Sequence, residues 1–299
     1  MNRIVLAYSG RPATADAVER LAASYAGEVV TLTLDLGQGK ELEAVRDRAL
    51  AMGAVRAHVL DAHDLFVREF LLRALKAGAL ADGDRSLVPL LTRPLIAQKL
   101  VEVAAIEQAS DVAYTAKDGD DRIGVAVRMI APQLTVVAVP RAGSRATAAA
   151  RTPAAPPEAA QVEIAFERGT PTSLNGIAMP LLDALGSLAI IAGSHGVNPA
   201  RVLNEAHADL QQVIVPGKGE DLPRRYRDII DSGRWFDPAR EALDAEAAKL
   251  QDKVSGVVRL KLHDGRCEII DRKQVKSARK LPVTMPHGVE TAPRGPQNI

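Results

Sequence analysis

Apolar and polar positions alternate in blocks along the first 140 residues. Arg3-Ile4-Val5-Leu6-Ala7-Tyr8 is an apolar run of strand length, Ser9-Gly10-Arg11-Pro12-Ala13-Thr14-Ala15 is a turn, and Ala17-Val18-Glu19-Arg20-Leu21-Ala22 carries helical spacing. The rhythm repeats with a strand over 28–38 that closes on Gly37, a helix over 41–52 carrying Leu42, Val45, Ala49 and Leu50, and strands over 55–60, 111–114 and 134–140. Strands alternating with helices predict a parallel sheet with right-handed crossovers. Between the third and fourth strands, 65–80 reads as a helix with Phe66, Phe70, Leu71 and Leu75 mostly on one side, and 81–85 as a loop. Pro94 reads as a helix start, where its missing N–H costs no intrahelical bond.

The second half has a different rhythm. Val162 to Pro171 alternates apolar and polar like a strand with one wet face, 180–192 and 238–254 read as helices, and 257–270 as a hairpin turning at Asp264-Gly265. Between the halves, 141–160 lacks bulky apolar residues, and a segment with nothing to bury makes a flexible linker. We expect a parallel α/β domain over 1–140, a linker over 141–161, a smaller α+β domain over 162–282 and a loose tail over 283–299.

Composition changes this picture in three ways. Hydrophobic residues make up 47% of the chain but aromatics only 3%, so the core is aliphatic. A formal net charge of +1 supplies no overall field for nucleic acid or an anionic membrane, and no apolar run approaches the ~20 residues of a membrane span. The single Cys267 excludes an internal disulfide and reads as an inert, half-buried residue. Small-molecule partners and a cytoplasmic location are the expectation.

Two stretches can carry chemistry. A strand, a Ser-Gly turn and a helix start aim backbone N–H groups and the positive end of a helix dipole at one point, the construction of a phosphate site. The segment Thr115-Ala116-Lys117-Asp118-Gly119-Asp120-Asp121-Arg122 sets a Thr, a Lys and an Arg at a strand end, where they can grip an anion; the same composition also suits a solvated polar loop. His195 has no partner His at metal spacing and reads as a turn or packing residue, and Trp235 and Phe236 read as packing anchors.

Ala7-Tyr8-Ser9-Gly10 and Thr14 resemble the Ser-Gly-Gly-x-Asp-Ser/Thr loop of the argininosuccinate synthase family, one of the ATP-pyrophosphatases. Arg11, Ala13 and Ala15 stand where that pattern has its second Gly, its Asp and its last hydroxyl. Arg93-Pro94-Leu95-Ile96-Ala97-Gln98-Lys99-Leu100 is similar to the family's Ala-Arg-Pro-Leu-Ile-Ala-Lys-Lys. Thr115 to Arg122 is similar to its Thr-Gly-Lys-Gly-Asn-Asp-Gln-Val-Arg, one residue shorter, with Gly119 for the Asn and Gly124 for a later Glu. Gly193 to Val197 and Ser232 to Pro238 carry the resemblance into the second half. It implies ATP and Mg2+ as cofactors, with Ala7, Tyr8, Ser9, Gly10, Thr14 and Leu34 at the ATP. Arg93, Thr115, Lys117, Asp120 and Arg122 would then lie at the second substrate. Arg85 and Leu90 fall where the family has a Tyr and a Ser that hold citrulline.

The implied reaction adenylates citrulline with MgATP, releases pyrophosphate, and lets the aspartate amine displace AMP. Two readings stay open: an AMP-forming carbon–nitrogen ligase acting on citrulline or a related ureido substrate, and a degenerate, non-catalytic homologue that keeps the scaffold for binding. Self-association and a protein partner are open as well. A stand-alone nucleotide-sensing domain is the third alternative, and the family-like segments of the second half argue against it.

Overall fold

The computed structural model describes residues 2–37, 41–117, 119–140 and 158–274. The chain runs β1 (Arg3–Ala7), α1 (Pro12–Ser24), β2 (Glu28–Asp35), α2 (Leu42–Ala51) and β3 (Arg56–Asp61). One helical arm follows, made of α3 (His63–Leu65), a π-helical stretch Phe66–Leu71 and α4 (Leu72–Lys76). Next come β4 (Ala81–Asp82), β5 (Arg85–Ser86), α5 (Val88–Glu107), β6 (Asp111–Ala116), α6 (Arg122–Ile130) and β7 (Thr135–Pro140). The second half comprises β8 (Ala160–Glu167), β9 (Thr170–Leu174), β10 (Ile177–Ala178), α7 (Leu181–Ser194), α8 (Pro199–Ile214), α9 (Leu222–Ser232), α10 (Pro238–Gln251), β11 (Gly256–His263) and β12 (Arg266–Gln274).

The first five-stranded sheet is parallel, in the order β3-β2-β1-β6-β7. Both its faces are covered, and the period of two along each strand divides the residues between them. Ile4, Leu6, Val29 and Ala113 join one apolar cluster with Ala17, Val18 and Leu21 of α1 and Ala49 of α2. Val5, Val30, Leu32, Val112 and Tyr114 join another with the helical arm and α5. The second sheet, β10-β9-β8-β11-β12, is antiparallel. Its inward residues Val162, Ile164, Phe166, Val258, Leu260 and Leu262 belong to the same cluster as the arm and α5, together with Val202, Leu203 and Leu210 of α8. An α/β fold with a parallel sheet in the first half is what the alternating blocks predicted.

Four details differ from the pattern-based reading. Helix α1 starts at Pro12, inside the stretch read as a turn, because a proline at the first helical position has no N–H to lose. Residues 81–86 form a small hairpin, β4 pairing with β5, rather than a plain loop. Pro94 lies inside α5 instead of starting it. It provides no N–H for the Leu90 carbonyl, a defect worth about 3 kcal/mol in a helix interior. Leu91, Leu95 and Leu100 are fully buried around it, and at roughly 1.5–3 kcal/mol for each such side chain their burial carries the helix through. Lastly, β8 begins at Ala160, so the last two residues of the expected linker are strand; 141–157 and 275–299 lie outside the described residues.

Trp235 anchors the second half onto the first. Its indole stacks on Phe70 at 5.2 Å, meets Tyr226 edge-on at 5.8 Å and has the Arg240 guanidinium 5.1 Å from its ring centre. At the opposite, amino edge of the parallel sheet, the buried Glu107 carboxylate accepts hydrogen bonds from Arg56 at 2.8 Å and pairs with His58 at 2.7 Å. Among the described residues no helix is long and apolar enough to cross a membrane.

Candidate functional site

The strand order places a crevice. From β1 the chain lays β2 and β3 on one side, then returns to put β6 and β7 on the other. At such a switch point the loops leaving two neighbouring strands diverge, and in open α/β sheets the carboxyl ends there form the ligand crevice. Leu6 pairs with Ala113, so the loops that follow Ala7 and Ala116 flank one opening. Sequence-expected groups from two separate stretches are thereby brought to one edge.

The β1–α1 loop is held from within. Tyr8 is buried and its N–H donates to the Leu32 carbonyl at 2.8 Å; burial raises its pKa. Gly10 has φ +72°, and an added Cβ would lie 2.8 Å from Val45 of α2, so the position requires glycine. Arg48 donates to the Gly10 carbonyl at 3.0 Å. Thr14 is buried; its hydroxyl donates to the Arg11 carbonyl at 2.9 Å, lies 3.2 Å from the Ser9 hydroxyl, and accepts from the Ser9 N–H at 3.3 Å. The hydroxyl pair thus braces the loop. What remains open are the N–H groups of Gly10 and Arg11 and the exposed Arg11 guanidinium, none of which has a hydrogen-bond partner among the described residues. No side chain caps α1 and its first turn holds no acidic residue. The result is a positively polarised spot at the start of α1. Leu34, at the end of β2, turns its side chain into the apolar cluster that contains Phe66 and Phe70.

Across the crevice, Thr115 is the penultimate residue of β6 and Lys117 is exposed, with no ion-pair partner among the described residues. Asp120, Arg122 and Arg93 come together. Arg122 donates to Asp120 at 2.9 Å and to the Asp231 carbonyl at 2.7 Å, while Arg93 lies 3.4 Å from the other Asp120 oxygen. Arg85 in turn binds the Asp231 carboxylate at 2.7 Å. The network ties this loop to α5 and to the end of α9. Arg93 Nε is buried and has no hydrogen-bond partner among the described residues.

Neighbours outside the expected ATP and second-substrate residues complete the edge. The Tyr114 hydroxyl donates to Asp121, which also takes Arg128. Tyr114 is buried, and burial with the Asp121 carboxylate raises its pKa well above that of a free phenol. Gly124 makes room for this arrangement: an added Cβ there would run into Asp121 Oδ1 and come 2.9 Å from the Tyr114 hydroxyl. At the ends of β2 and β3, Asp35 accepts from the Gly37 N–H at 2.8 Å and Asp61 from the His63 N–H at 3.0 Å. A carboxylate closing each of two paired strands was a visible signal in the sequence; the Tyr114–Asp121 pair needed the structure. Among the described residues no group of three or more His, Cys, Asp or Glu side chains is placed to hold a metal ion. His195 is buried, and its carbonyl accepts from the Gly265 N–H at 2.9 Å, tying the end of α7 to the β11–β12 turn.

A parallel sheet with a glycine-containing loop at its switch point is the layout of a nucleotide-binding α/β domain, here of the HUP class. Residues 3–155 match the family model described as the arginosuccinate synthase N-terminal HUP domain, and residues 198–281 match that of the arginosuccinate synthase C-terminal domain. The chain is 32% identical to an argininosuccinate synthase of Geobacillus thermodenitrificans, over 91% of this chain and 86% of the relative. Identity is 32% to that of Brevibacillus brevis, over 92% and 85%, and 30% to that of Parasynechococcus marenigrum, over 97% and 92%. The chain belongs to the argininosuccinate synthase family.

Proposed function

We propose that this chain binds ATP at the switch-point crevice and uses it for AMP-forming ligation, joining an amine to a ureido acceptor of the citrulline type. One observation carries the reading: the Gly10 and Arg11 N–H groups and the Arg11 guanidinium, all without a hydrogen-bond partner among the described residues, belong to the one loop that leads from β1 into the uncapped start of α1. In this reading the acceptor oxygen attacks the α-phosphorus and pyrophosphate leaves; the amine nitrogen then displaces AMP. Negative charge grows on the departing pyrophosphate, and the loop N–H groups and Arg11 are placed to stabilise it without reorganising. Mg2+ finds no carboxylate cluster among the described residues, and Ala13 stands where the family loop has its Asp. No step is therefore assigned to a protein-held metal. The Nε of Arg93 and the ammonium of Lys117, both without a partner among the described residues, are the groups left to meet the second substrate.

A second reading, a nucleotide-binding homologue without turnover, is favoured by one feature. Asp120 and Arg122 are engaged with each other, with Arg93 and with Asp231, so they fasten a loop instead of facing a ligand. Calorimetric titration with ATP and magnesium, coupled to a pyrophosphate-release assay with citrulline, aspartate and related ureido compounds and amines, separates the two. Binding with release upholds the ligase; binding alone upholds the second reading; absence of ATP binding overturns both. In Arg11→Ala the ATP affinity should fall about 10- to 100-fold, the weight of a charge-assisted contact. A rise in affinity would mean that Arg11 blocks the loop, and would overturn its role.

A further inference from the structure

Away from the crevice, an open cleft of about 400 Å³ lies between the end of α4, the β8–β9 turn and α10. Lys76, Glu167, Arg168, Thr170, Thr172 and Asp252 line it, over a floor formed by Gln251. Gln251 is almost fully buried and immobilised. Its amide nitrogen donates to the Lys76 carbonyl at 2.9 Å and to Gln211 at 2.6 Å, and its oxygen pairs with His207 Nε2 at 2.9 Å. The cleft therefore has a rigid polar base that belongs to three helices.

Its charges are unevenly satisfied. Arg168 and Asp252 bind each other, with Nε donating to Oδ1 at 3.1 Å. Lys76 and Glu167 do not: among the described residues neither charged group has a hydrogen-bond or ion-pair partner, so they stand too far apart to bridge. The Thr170 hydroxyl is likewise without a partner there. Lys76 is half-buried, and burial together with the nearby Arg168 charge lowers the pKa of its ammonium, against the weaker upward pull of Asp252; a bound anion would offset that cost.

We infer that this cleft takes a free α-amino acid, its carboxylate on the Lys76 ammonium and the Thr170 hydroxyl and its ammonium on the Glu167 carboxylate. Asp252 and Arg168 act on Lys76 and Glu167 through space without bonding to them; a simple anion would leave Glu167 without a direct contact, and a simple cation would leave Lys76 so. A zwitterion satisfies both across the gap between them, and its side chain can extend towards the open mouth. No residue is shared with the switch-point crevice, so this site stands or falls independently of the nucleotide reading.

Titration calorimetry of the full chain against a series of L-amino acids at millimolar concentration, leaving out aspartate, citrulline and other ureido acids that the crevice would take, with acetate and methylammonium as half-ligands, tests the inference. Saturable binding of at least one amino acid is expected, weakened about 10- to 100-fold in both Lys76→Met and Glu167→Gln and largely kept in Lys76→Arg. Each variant is first matched to the parent by thermal unfolding; Glu167 is exposed, so Glu167→Gln preserves the fold even if Lys76→Met does not. The inference is overturned if no amino acid saturates the protein, if binding survives in either charge-removing variant, or if acetate binds as tightly as the amino acid.

Discussion

His207 shows how far a single side chain can be committed. Its imidazole is fully buried against Phe166 and Gln251, and burial pushes its pKa down to about 4, against the upward pull of the Gln251 hydrogen bond. In the unfolded chain an imidazole titrates near about 6.5. Between those values the unfolded state binds more protons than the folded one, so stability is full above the unfolded pKa and falls as pH drops through the window. The loss amounts to at most about 3 kcal/mol. Urea midpoints of the parent and of His207→Gln, followed from neutral pH to mildly acidic pH, should show the parent's slope flattened in the variant; equal slopes would contradict it. Thr14 is another committed residue. Its place in a family-like loop suggests a phosphate contact, and its hydroxyl donates to the Arg11 carbonyl and lies against the Ser9 hydroxyl, bracing the loop that would make that contact.

At the scale of elements, the helical arm and α5 join the two sheets. The arm's π-helical stretch buries Phe66, Val67, Phe70 and Leu71, and Phe70 meets Trp235. Removing the indole in Trp235→Ala should cost about 3–5 kcal/mol, as large-to-small changes in tight cores do, read as a lowered guanidinium midpoint; a change below 1 kcal/mol, about the size of a surface substitution, would show that the contact is peripheral. The strands of the first sheet and the Asp264-Gly265 hairpin were legible in the sequence because each rests on a local signal, an apolar run or a turn dipeptide. Pro94 was misread for the same reason. The local rule for proline is right, and it lost to the burial of Leu91, Leu95 and Leu100, which depends on elements far away in the chain. The crevice was half legible: both flanking loops were singled out, but the ion network from Arg85 through Asp231 to Arg93 is long-range and leaves no spacing in the sequence.

For the whole molecule, the decisive fact is that one apolar cluster contains Val5 and Leu32 of the parallel sheet together with Val258 and Leu260 of the antiparallel one. Ion pairs such as Arg73–Asp244 at 2.8 Å also cross between the halves. Residues 1–140 expressed alone would expose that shared surface. The full chain should unfold in one calorimetric transition, while the isolated fragment should aggregate or unfold at a much lower temperature; two separate transitions in the full chain would contradict this. The space at Gly124 has a consequence for which substitutions this edge tolerates. Any side chain there meets Asp121 Oδ1 and comes 2.9 Å from the Tyr114 hydroxyl. The Asp121 carboxylate is half-exposed and can swing aside. A larger residue is then accommodated by giving up the bond between Tyr114 and Asp121, so the burden falls on the orientation of the phenol while the fold itself is spared.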